Sequence, residues 1–319
     1  MDLSLVIPVY NEEESLPELF DWIVKVVDEH QISTEVLFID DGSTDSSWEV
    51  ISQLNALDGR AKGIKFNRNY GKSAALNVGF QESVGEVVIT MDADIQDSPD
   101  EIPGLINMIK EDGYQLVSGW KKKRHDPIGK TLPSKFFNKI TSLVSGIKLH
   151  DFNCGLKAYH SRVVKNIEVY GEMHRYIPLI AKWNGFYRIG EKVVEHRARK
   201  YGQTKFGLER FVNGFLDLIS VSFVTRFRKN PMHFFGLFGT LSFGFGTLVA
   251  GWIIGTKLYN LHYHLPVRDV VDQPLFFLSL VAVIIGTQLF LAGFLAEMII
   301  QVSPKKNDYL VIEKLGSDA

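Results

Sequence analysis

The chain has 319 residues, of which 45% are hydrophobic and 23% are charged, and its formal net charge is −2. This length accommodates one globular domain together with a smaller apolar unit. The single cysteine, Cys154, excludes an intrachain disulfide and suits a reducing compartment.

The charges are unevenly distributed along the chain. Residues 1–60 carry fourteen acidic side chains against two basic ones, whereas 119–148 carry eight basic against one acidic and 196–229 eight basic against two acidic. The second basic segment comes directly before the first long apolar run, where each Lys or Arg near anionic lipid contributes about 1 kcal/mol of attraction. Both basic segments are therefore candidates for contact with a lipid surface.

Short β-rich runs alternate with helix-like stretches over the first 118 residues. The strand-like runs are 3–9, 35–39, 63–66, 86–91 and 115–118, and the helix-like stretches lie near 15–30, 45–56, 71–84 and 99–112. This alternation predicts an α/β fold with a mostly parallel, Rossmann-like sheet covered by helices. Ligands of such sheets bind beyond the carboxyl ends of the strands, so we expect a site there. From 120 to 205 the alternation weakens, and no topology is predicted.

Two acidic motifs follow predicted strands. Asp92 and Asp94 come after the run 87–91. Carboxylates at i and i+2 can converge on one hard divalent cation, and diphosphate oxygens and water can then complete the coordination of that cation. A plain acidic turn is the alternative for this triplet. Asp40 and Asp41 end another strand, where they can accept from a ribose hydroxyl or a base N–H, although Asp45 in the same motif is interpreted as a helix cap.

Two nucleotide motifs are excluded. Lys72 lies in a Gly-Lys-Ser triplet, but a P-loop requires a glycine five residues before Gly71, and that position holds Phe66. The first strand is followed by no G-x-G-x-x-G motif, so a dinucleotide-dependent oxidoreductase has no support. The remaining interpretation is a loop that leads into a helix beside the nucleotide.

The C-terminal third predicts a membrane anchor. An amphipathic pattern over 206–230 predicts an interfacial helix, with packing on the core of the domain as the alternative. Two uncharged stretches, 234–256 and 274–296, are each about 35 Å long as helices, enough for a hydrocarbon core of about 30 Å. Basic residues flank the outer ends of this pair, which predicts cytoplasmic ends. Buried core helices are the alternative.

These motifs together resemble the family 2 inverting glycosyltransferases of the GT-A fold, most closely the polyprenyl-phosphate glycosyltransferases, the group that contains dolichol-phosphate mannose synthase and bactoprenol glucosyltransferase. The resemblance covers nearly the whole chain and runs through 6–12, 40–43, 68–72, 92–97 and the two apolar stretches. It implies a nucleotide-sugar donor, Mg²⁺ or Mn²⁺, and transfer of a single sugar. The donor-side residues that it implies are Pro8, Tyr10, Glu12, Asp40, Asp41, Lys72, Asp92 and Gln96, with Asp92 and Asp94 as the metal ligands.

The acceptor side is expected to be basic. Arg124 and Lys205 are the preferred phosphate contacts, and Lys205 lies in a segment similar to a family loop. Asp151 begins an element similar to the family's Asp-x-x-x-Gly, although Cys154 stands where Ser is usual. Three roles stay open for Asp151: it orients the acceptor, acts as a base, or is a structural cap. The further basic candidates are Lys121, Lys122, Lys123, Lys135 and Arg199.

The resulting hypothesis is a catalytic domain over 1–205, a juxtamembrane helix over 206–230, a two-helix hairpin over 231–303 and a tail over 304–319. In this hypothesis the protein transfers one sugar from a UDP- or GDP-hexose to a polyprenyl phosphate at the cytoplasmic face of the inner membrane. The partners are then the donor, the acceptor and the bilayer, with no nucleic acid, and a homo-oligomer stays open. Two alternatives are another lipid acceptor, such as diacylglycerol, and a non-catalytic nucleotide-sugar-binding scaffold.

Overall fold

A computed structural model of the chain describes residues 1–122, 138, 141–142, 145–171, 173–197, 231–302 and 311–316. The chain divides into two compact units, one comprising Met1–Ser222 with Asn307–Ala319 and the other Phe223–Lys306. The predicted interfacial helix over 206–230 lies outside the described residues, as do Lys123, Arg124, Lys135, Arg199 and Lys205.

The first unit is built on a sheet of eight strands. In chain order these are β1 Leu3–Val9, β2 Thr34–Asp40, β3 Ala61–Phe66, β4 Val87–Thr90, β5 Leu116–Trp120, β6 Lys157–His160, β7 Ile189–Val193 and β8 Val311–Leu315. Their spatial order is β7-β5-β6-β4-β1-β2-β3-β8. The pairs β1–β2, β1–β4, β2–β3 and β5–β7 are parallel, and the three pairs that involve β6 or β8 are antiparallel. The predicted α/β class and the five predicted strands are confirmed.

Helices cover both faces of the sheet. They are α1 Leu16–Glu29, α2 Ser47–Leu57, α3 Lys72–Glu82, α4 Ile102–Lys110, α5 Ser161–Val164 and α6 Ile177–Trp183, with 3₁₀ turns at Pro99–Glu101 and Met173–Tyr176. Because side chains alternate along a strand, β1 and β2 contribute to two separate cores: Leu5 and Phe38 pack on one face, whereas Val6 and Leu37 pack on the other. Burial on both faces explains why these strands are nearly continuous apolar runs.

The strand β8 is a feature that the sequence analysis did not contain. It pairs antiparallel with β3 along one edge of the sheet, and Leu315 packs against the core. The five residues of β8, Val-Ile-Glu-Lys-Leu, do not alternate between apolar and polar side chains, so periodicity does not identify them as a strand. Because β8 and β1 to β7 share one sheet, the chain that leaves the first unit near residue 222 returns to it near residue 307.

Removing residues 311–319 is expected to destabilise the first unit, because the edge of β3 loses its backbone partners and Leu315 loses its contacts. At about 1 kcal/mol per lost hydrogen bond, a net loss of roughly 2 kcal/mol would lower the melting temperature by about 4–8 °C. The exposed edge should also promote aggregation. Thermal unfolding of the detergent-solubilised chain measures the effect, with deletion of 317–319 as the matched control. Equal melting temperatures for both deletions would contradict the contribution of β8.

The second unit contains two long apolar helices, α7 Pro231–His262 and α8 Pro274–Val302, which include the two predicted spans. Only 17% and 11% of the residues in their most apolar 18-residue stretches are buried, whereas the core helix of a soluble domain is mostly buried. The two helices approach closely at glycines: a Cβ on Gly286 would lie 2.5 Å from the backbone nitrogen of Phe243, and one on Gly239 would lie 2.8 Å from the oxygen of Gly286. Small residues at this interface suit helix packing in lipid.

Candidate active site at the carboxyl ends of the central strands

The sheet brings the predicted donor-side residues to one edge. Tyr10 and Glu12 follow β1, Asp40 and Asp41 end and follow β2, and Asp92 follows β4. Since β4, β1 and β2 are adjacent and parallel, their carboxyl ends lie side by side. The strand order therefore makes one continuous polar edge out of motifs that are as far apart in the chain as Tyr10 and Asp92.

At the β2 end of this edge, Asp40 is completely buried. Its Oδ1 accepts a hydrogen bond of 2.9 Å from the backbone N–H of Ser43, whereas its Oδ2 has no hydrogen-bond partner among the described residues. A buried carboxylate oxygen without a partner is costly, by about 1–3 kcal/mol or more. This oxygen is therefore suited to receive an N–H or O–H from a ligand.

The loops after β1 and β2 are bound to each other. Asn11, in the left-handed conformation with φ 58°, accepts a 2.8 Å bond from the backbone N–H of Thr44 and donates its own N–H to Ser43 Oγ. The backbone N–H of Glu12 donates to Ser47 Oγ at 2.9 Å. Tyr10 is left 43% exposed beside this junction, where an aromatic ring can stack on a base, and Pro8 is half-buried within β1.

Two aspartates of the loop after β2 accept hydrogen bonds from the backbone of neighbouring segments. Asp41 accepts from the backbone N–H groups of Tyr70 and Gly71 at 2.6 and 2.9 Å, and burial raises the pKa of its carboxyl. It thereby fixes the loop that precedes Lys72. Asp45 accepts from the N–H groups of Glu13 and Ser47, the second of which begins α2, but the N-cap residue is Ser46, so Asp45 satisfies the first N–H of the helix from one position before the cap.

At the β4 end of the edge, Asp92 forms an ion pair with Lys72, the first residue of α3. Burial raises the pKa of Asp92, but the cationic neighbours Lys72, Lys121 and Lys157 outweigh it and hold the pKa at about 2. The carboxylate is therefore ionised throughout the physiological range. Asp94 is 6% exposed, and its Oδ1 accepts a 3.2 Å bond from the backbone N–H of Gln96.

These two carboxylates fit a divalent cation of a particular kind. Among the described residues no group of three or more His, Cys, Asp or Glu side chains could enclose a metal. Mg²⁺ and similar hard cations, however, are commonly bound through one or two carboxylates together with substrate phosphates. Asp92 and Asp94, two residues apart at a strand end, supply that smaller set, and Gln96 lies half-buried beside them.

Gly155 lies directly against the carboxyl group of Asp92. A Cβ at this position would lie 2.6 Å from Cγ and 2.7 Å from Oδ1 of Asp92. The glycine of the Asp-x-x-x-Gly element thus lets the backbone lie close to the carboxyl group of Asp92, where a side chain would not fit.

Gly155→Ala is expected to reduce turnover, because the added methyl group must displace Asp92 from its ion pair with Lys72. A displacement near 1 Å in a catalytic arrangement can cost up to about 10²-fold in rate, so we expect a loss of 10-fold to about 10²-fold in kcat/KM. Steady-state kinetics of sugar transfer by the purified variant measure it. Gly59→Ala is the matched control, since a Cβ there meets nothing within 4 Å. Unchanged kinetics for Gly155→Ala would show that the position of Asp92 does not limit turnover.

The first residue of the same element is buried. Asp151 is 1% exposed, and its Oδ1 accepts a 3.0 Å bond from the backbone N–H of Asn153, which closes a turn in the loop before β6. Its backbone N–H donates to Glu191 Oε1. Asp151 therefore has a structural contact in its loop, and a role for it toward the acceptor stays a proposal.

Several charged residues near Asp92 were missed or placed differently by the sequence analysis. Lys121, interpreted as a phosphate contact, lies 2.7 Å from Oδ1 of the buried Asp97; burial opposes its charge, but Asp97 outweighs burial and raises the pKa of the lysine. Lys122 lies over the ring of Trp120. Lys157 was not identified at all, although a lysine within the otherwise apolar run 156–159 is a signal that could have found it.

Comparison with known proteins gives three kinds of likeness. Residues 4–168 match the family model described as glycosyl transferase family 2. The chain is 33% identical to dodecaprenyl-phosphate galacturonate synthase of Rhizobium johnstonii, over 94% of this chain and 88% of that protein. It is 35% identical to undecaprenyl-phosphate 4-deoxy-4-formamido-L-arabinose transferase of Shewanella sediminis, over 93% of this chain and 86% of that protein.

Among solved structures, glucosyl-3-phosphoglycerate synthase from Mycobacterium tuberculosis in complex with Mn²⁺ and UDP-glucose is similar with a TM-score of 0.54 and 20% identity. The match covers 70% of this chain and 78% of that one. Mannosyl-3-phosphoglycerate synthase from Rubrobacter xylanophilus matches with a TM-score of 0.58 and 16% identity, over 72% and 74%. At these identities the likeness establishes the fold.

Proposed function

The chain belongs to glycosyl transferase family 2, and from that premise we propose that it transfers one sugar, with inversion, from a UDP- or GDP-linked donor to a polyprenyl phosphate at the cytoplasmic face of the membrane. It is a polyprenyl-phosphate glycosyltransferase, because relatives that are aligned over more than nine-tenths of the chain act on dodecaprenyl or undecaprenyl phosphate. The observation that carries the proposal is the polar edge from Asp40 to Asp94 in a chain that also contains two exposed apolar helices.

The donor is bound along that edge. Asp40 Oδ2 accepts an N–H of the base, and Tyr10 stacks beside it. Asp92 and Asp94 are the residues that would hold a divalent cation, Mg²⁺ or Mn²⁺, and this cation would neutralise charge on the departing diphosphate. Lys72 keeps Asp92 ionised and oriented. Glu12, Asp41 and Gln96 support this arrangement through their loops.

The acceptor requires little activation. The second pKa of a phosphate monoester is about 6, so its oxygen is largely ionised near pH 7. An oxygen of the acceptor attacks the anomeric carbon from the side opposite the diphosphate, forming the new C–O bond as the bond to the diphosphate breaks. No protein base is required for this step. The remaining task is to bring two anions together, which we assign to basic residues that include Arg124 and Lys205, while Asp151 orients the acceptor through its loop.

The strand β8 supports an orientation of the chain in the membrane. It completes the same sheet as β1, which favours an even number of bilayer crossings between the two parts of the first unit, and α7 and α8 are the candidates for two crossings. Lys305 and Lys306 follow the second helix, and Arg226, Arg228 and Lys229 precede the first. Positive charge at both outer ends supports a cytoplasmic catalytic domain over 1–205 with the hairpin over 231–303 as its anchor.

The test is a panel of radiolabelled UDP- and GDP-sugars incubated with membranes that contain the chain and added polyprenyl phosphate, scored as label in organic-soluble lipid. Membranes without the chain are the control. We expect one donor to label polyprenyl phosphate. Label in added diacylglycerol instead would support a different lipid acceptor. Absence of transfer from every donor would reject the enzyme and leave a non-catalytic scaffold.

A further inference from the structure

The edge of the sheet that carries Asp92 continues to the ends of two further strands. β6 is antiparallel to both β4 and β5, so β5 and its parallel partner β7 end at the same edge as β4. Neighbouring strands lie about 4.8 Å apart, so the axis of β5 is about 10 Å from that of β4. The ends of β5 and β7 are therefore close neighbours of the expected donor site.

Trp120, the last residue of β5, points to the face of the sheet that α3 and α6 cover. Leu116 of β5 packs in the core beneath these two helices, and alternation along the strand places Trp120 on the same face. Val193, the last residue of β7, is paired with Trp120 in register and shares this face. Because Lys72 is the first residue of α3, its ion pair with Asp92 is formed on that face as well. Trp120 and this ion pair thus share an edge and a face of the sheet.

Apolar and basic groups are exposed together around Trp120. Its indole and the imidazole of His150 are stacked, with ring centroids 4.0 Å apart and an angle of 12° between the ring planes. The ammonium of Lys122 lies 5.6 Å from the centre of the same indole, and Val193 is 52% exposed. We call Trp120, Lys122, His150 and Val193 the edge cluster. Its exposed surface combines apolar carbon with nitrogen donors.

The imidazole of His150 is oriented by Glu191 of β7. Its Nδ1 lies 2.7 Å from Glu191 Oε2, and Glu191 Oε1 accepts the backbone N–H groups of His150 and Asp151 at 2.8 and 3.1 Å. Because a carboxylate can only accept, Nδ1 carries a proton. The His150 side chain is 65% exposed, and its ring makes no other hydrogen bond within the part of the chain that the structure describes. Glu191 thus fixes the ring and leaves Nε2 to a ligand.

The two lysines at the end of β5 have different surroundings. Lys121 lies 2.7 Å from the buried carboxylate of Asp97, whereas Lys122 is exposed next to the stacked rings. Lys122 therefore brings a positive charge to the edge cluster, and Lys121 is paired inside the domain. No member of the edge cluster carries a carboxylate. The cluster thus suits an anion that has an apolar group attached to it.

We propose that the edge cluster binds the acceptor at the junction between its phosphate and its first isoprene unit. Lys122 and the protonated form of His150, through Nε2, donate to phosphate oxygens, and Trp120 and Val193 pack on the isoprene carbons. The inference rests on the proposed function, which supplies the class of acceptor. It places the acceptor at the ends of β5 and β7 and the donor diphosphate at the end of β4, so that the sugar passes between them along one edge.

The phosphate of an anionic phospholipid has the same chemistry and is the other source of such a ligand. The position of the edge cluster favours the acceptor, because the cluster shares an edge and a face with the ion pair of Asp92 and Lys72. The two sources differ in a measurable way. A site for the acceptor changes the KM for polyprenyl phosphate in any bilayer, whereas a site for phospholipid affects transfer only where anionic phospholipid is present.

The test measures transfer to polyprenyl phosphate from the donor that labels lipid in the panel described above. The chain is placed in vesicles of phosphatidylcholine alone, or of phosphatidylcholine with phosphatidylglycerol. His150→Phe keeps a ring for stacking on Trp120 but removes Nε2. Loss of a charged hydrogen bond weakens binding by roughly 10-fold to 10²-fold, so we expect the KM for polyprenyl phosphate to rise by that factor in both vesicles. The KM for the donor should stay within about 2-fold of the wild-type value.

Val193→Asp is the second variant, and it changes an exposed position at the end of a strand. It replaces an apolar contact with a carboxylate that repels the phosphate, so the KM for polyprenyl phosphate should rise by at least about 10-fold. His30→Phe is the matched control for His150→Phe, because His30 is an exposed histidine between α1 and β2, at the opposite edge of the sheet. Its KM values should equal those of the wild type, and thermal unfolding verifies that each variant is folded.

Wild-type KM values for polyprenyl phosphate in both His150→Phe and Val193→Asp would overturn the inference and leave the proposed function intact, since the wild-type chain still transfers sugar. An effect confined to vesicles with phosphatidylglycerol would overturn it in favour of a phospholipid site. A rise in the KM for the donor instead would assign the edge cluster to the donor. Absence of transfer by the wild type from every donor would reject the proposed function, and the inference with it.

Discussion

Asp94→Ala is expected to lower the rate of sugar transfer by roughly 10³-fold without unfolding the domain, since it removes one of two carboxylates assigned to the cation beside the leaving diphosphate. Its Oδ1 also accepts the backbone N–H of Gln96, so alanine removes a bond that shapes the loop as well as a charge. Asp94→Asn separates these effects, because an amide oxygen can still accept that N–H. We expect Asn to lose about 10²-fold to 10³-fold, close to the loss caused by Ala.

The measurement combines single-turnover transfer with donor binding in the presence and absence of Mn²⁺ or Mg²⁺. In the wild type the cation should tighten donor binding, and in both Asp94 variants this cation effect should disappear. Asp112→Ala is the matched control, because Asp112 is an exposed carboxylate at the end of α4 in the same domain. Transfer by Asp94→Ala at the wild-type rate under limiting cation would show that Asp94 does not hold the metal.

The position of the proposed donor-side residues was predictable because parallel strands impose a rule on where the residues that follow them lie. Apolar runs bounded by turn residues identified β1, β2 and β4, and polar residues that follow such strands must meet at one edge of the sheet. Asp40, Asp92 and Asp94 obey that rule. The rule does not reveal what each carboxylate contacts, and Asp41 accepts two backbone N–H groups of the loop before Lys72.

The position of Lys157 could not be predicted, because it depends on a non-sequential strand order. β6 inserts antiparallel between β4 and β5, which places Lys157 beside Thr90 and Ser118 and brings it near Lys72, 85 positions earlier in the chain. The weak alternation between 120 and 205 contains no signal for this insertion. β8 escaped prediction for a related reason, since its pairing with β3 joins segments about 250 residues apart.

Asp40→Asn is expected to raise the KM for the nucleotide-sugar by 10-fold to about 10²-fold with a much smaller change in kcat, because a charged hydrogen bond to the base is worth about 1.5–3 kcal/mol. The asparagine oxygen can replace Oδ1 as the acceptor for Ser43, which leaves the amide NH₂ where Oδ2 stood. The NH₂ group of the asparagine, a hydrogen-bond donor, then faces the N–H of the base, which is also a hydrogen-bond donor. The interaction therefore changes from attractive to repulsive.

Asp40→Asn should weaken donor binding without lowering the stability of the folded chain. The wild-type chain without donor buries a carboxylate oxygen that has no hydrogen-bond partner among the described residues, and the neutral amide removes that buried charge. We therefore expect the melting temperature of the donor-free variant to equal or exceed that of the wild type. Asp45→Asn is the control, since the carboxylate of Asp45 accepts backbone N–H groups at the start of α2 and in the β1 loop, an asparagine oxygen can still accept them, and the KM of this variant should be unchanged.

Only a ligand-directed role for Asp40 predicts this combination of weaker donor binding and undiminished stability. A purely structural carboxylate would lose stability and leave KM unchanged when replaced. That second result would remove Asp40 from the donor site and leave the base to be recognised by Tyr10 and the surrounding backbone.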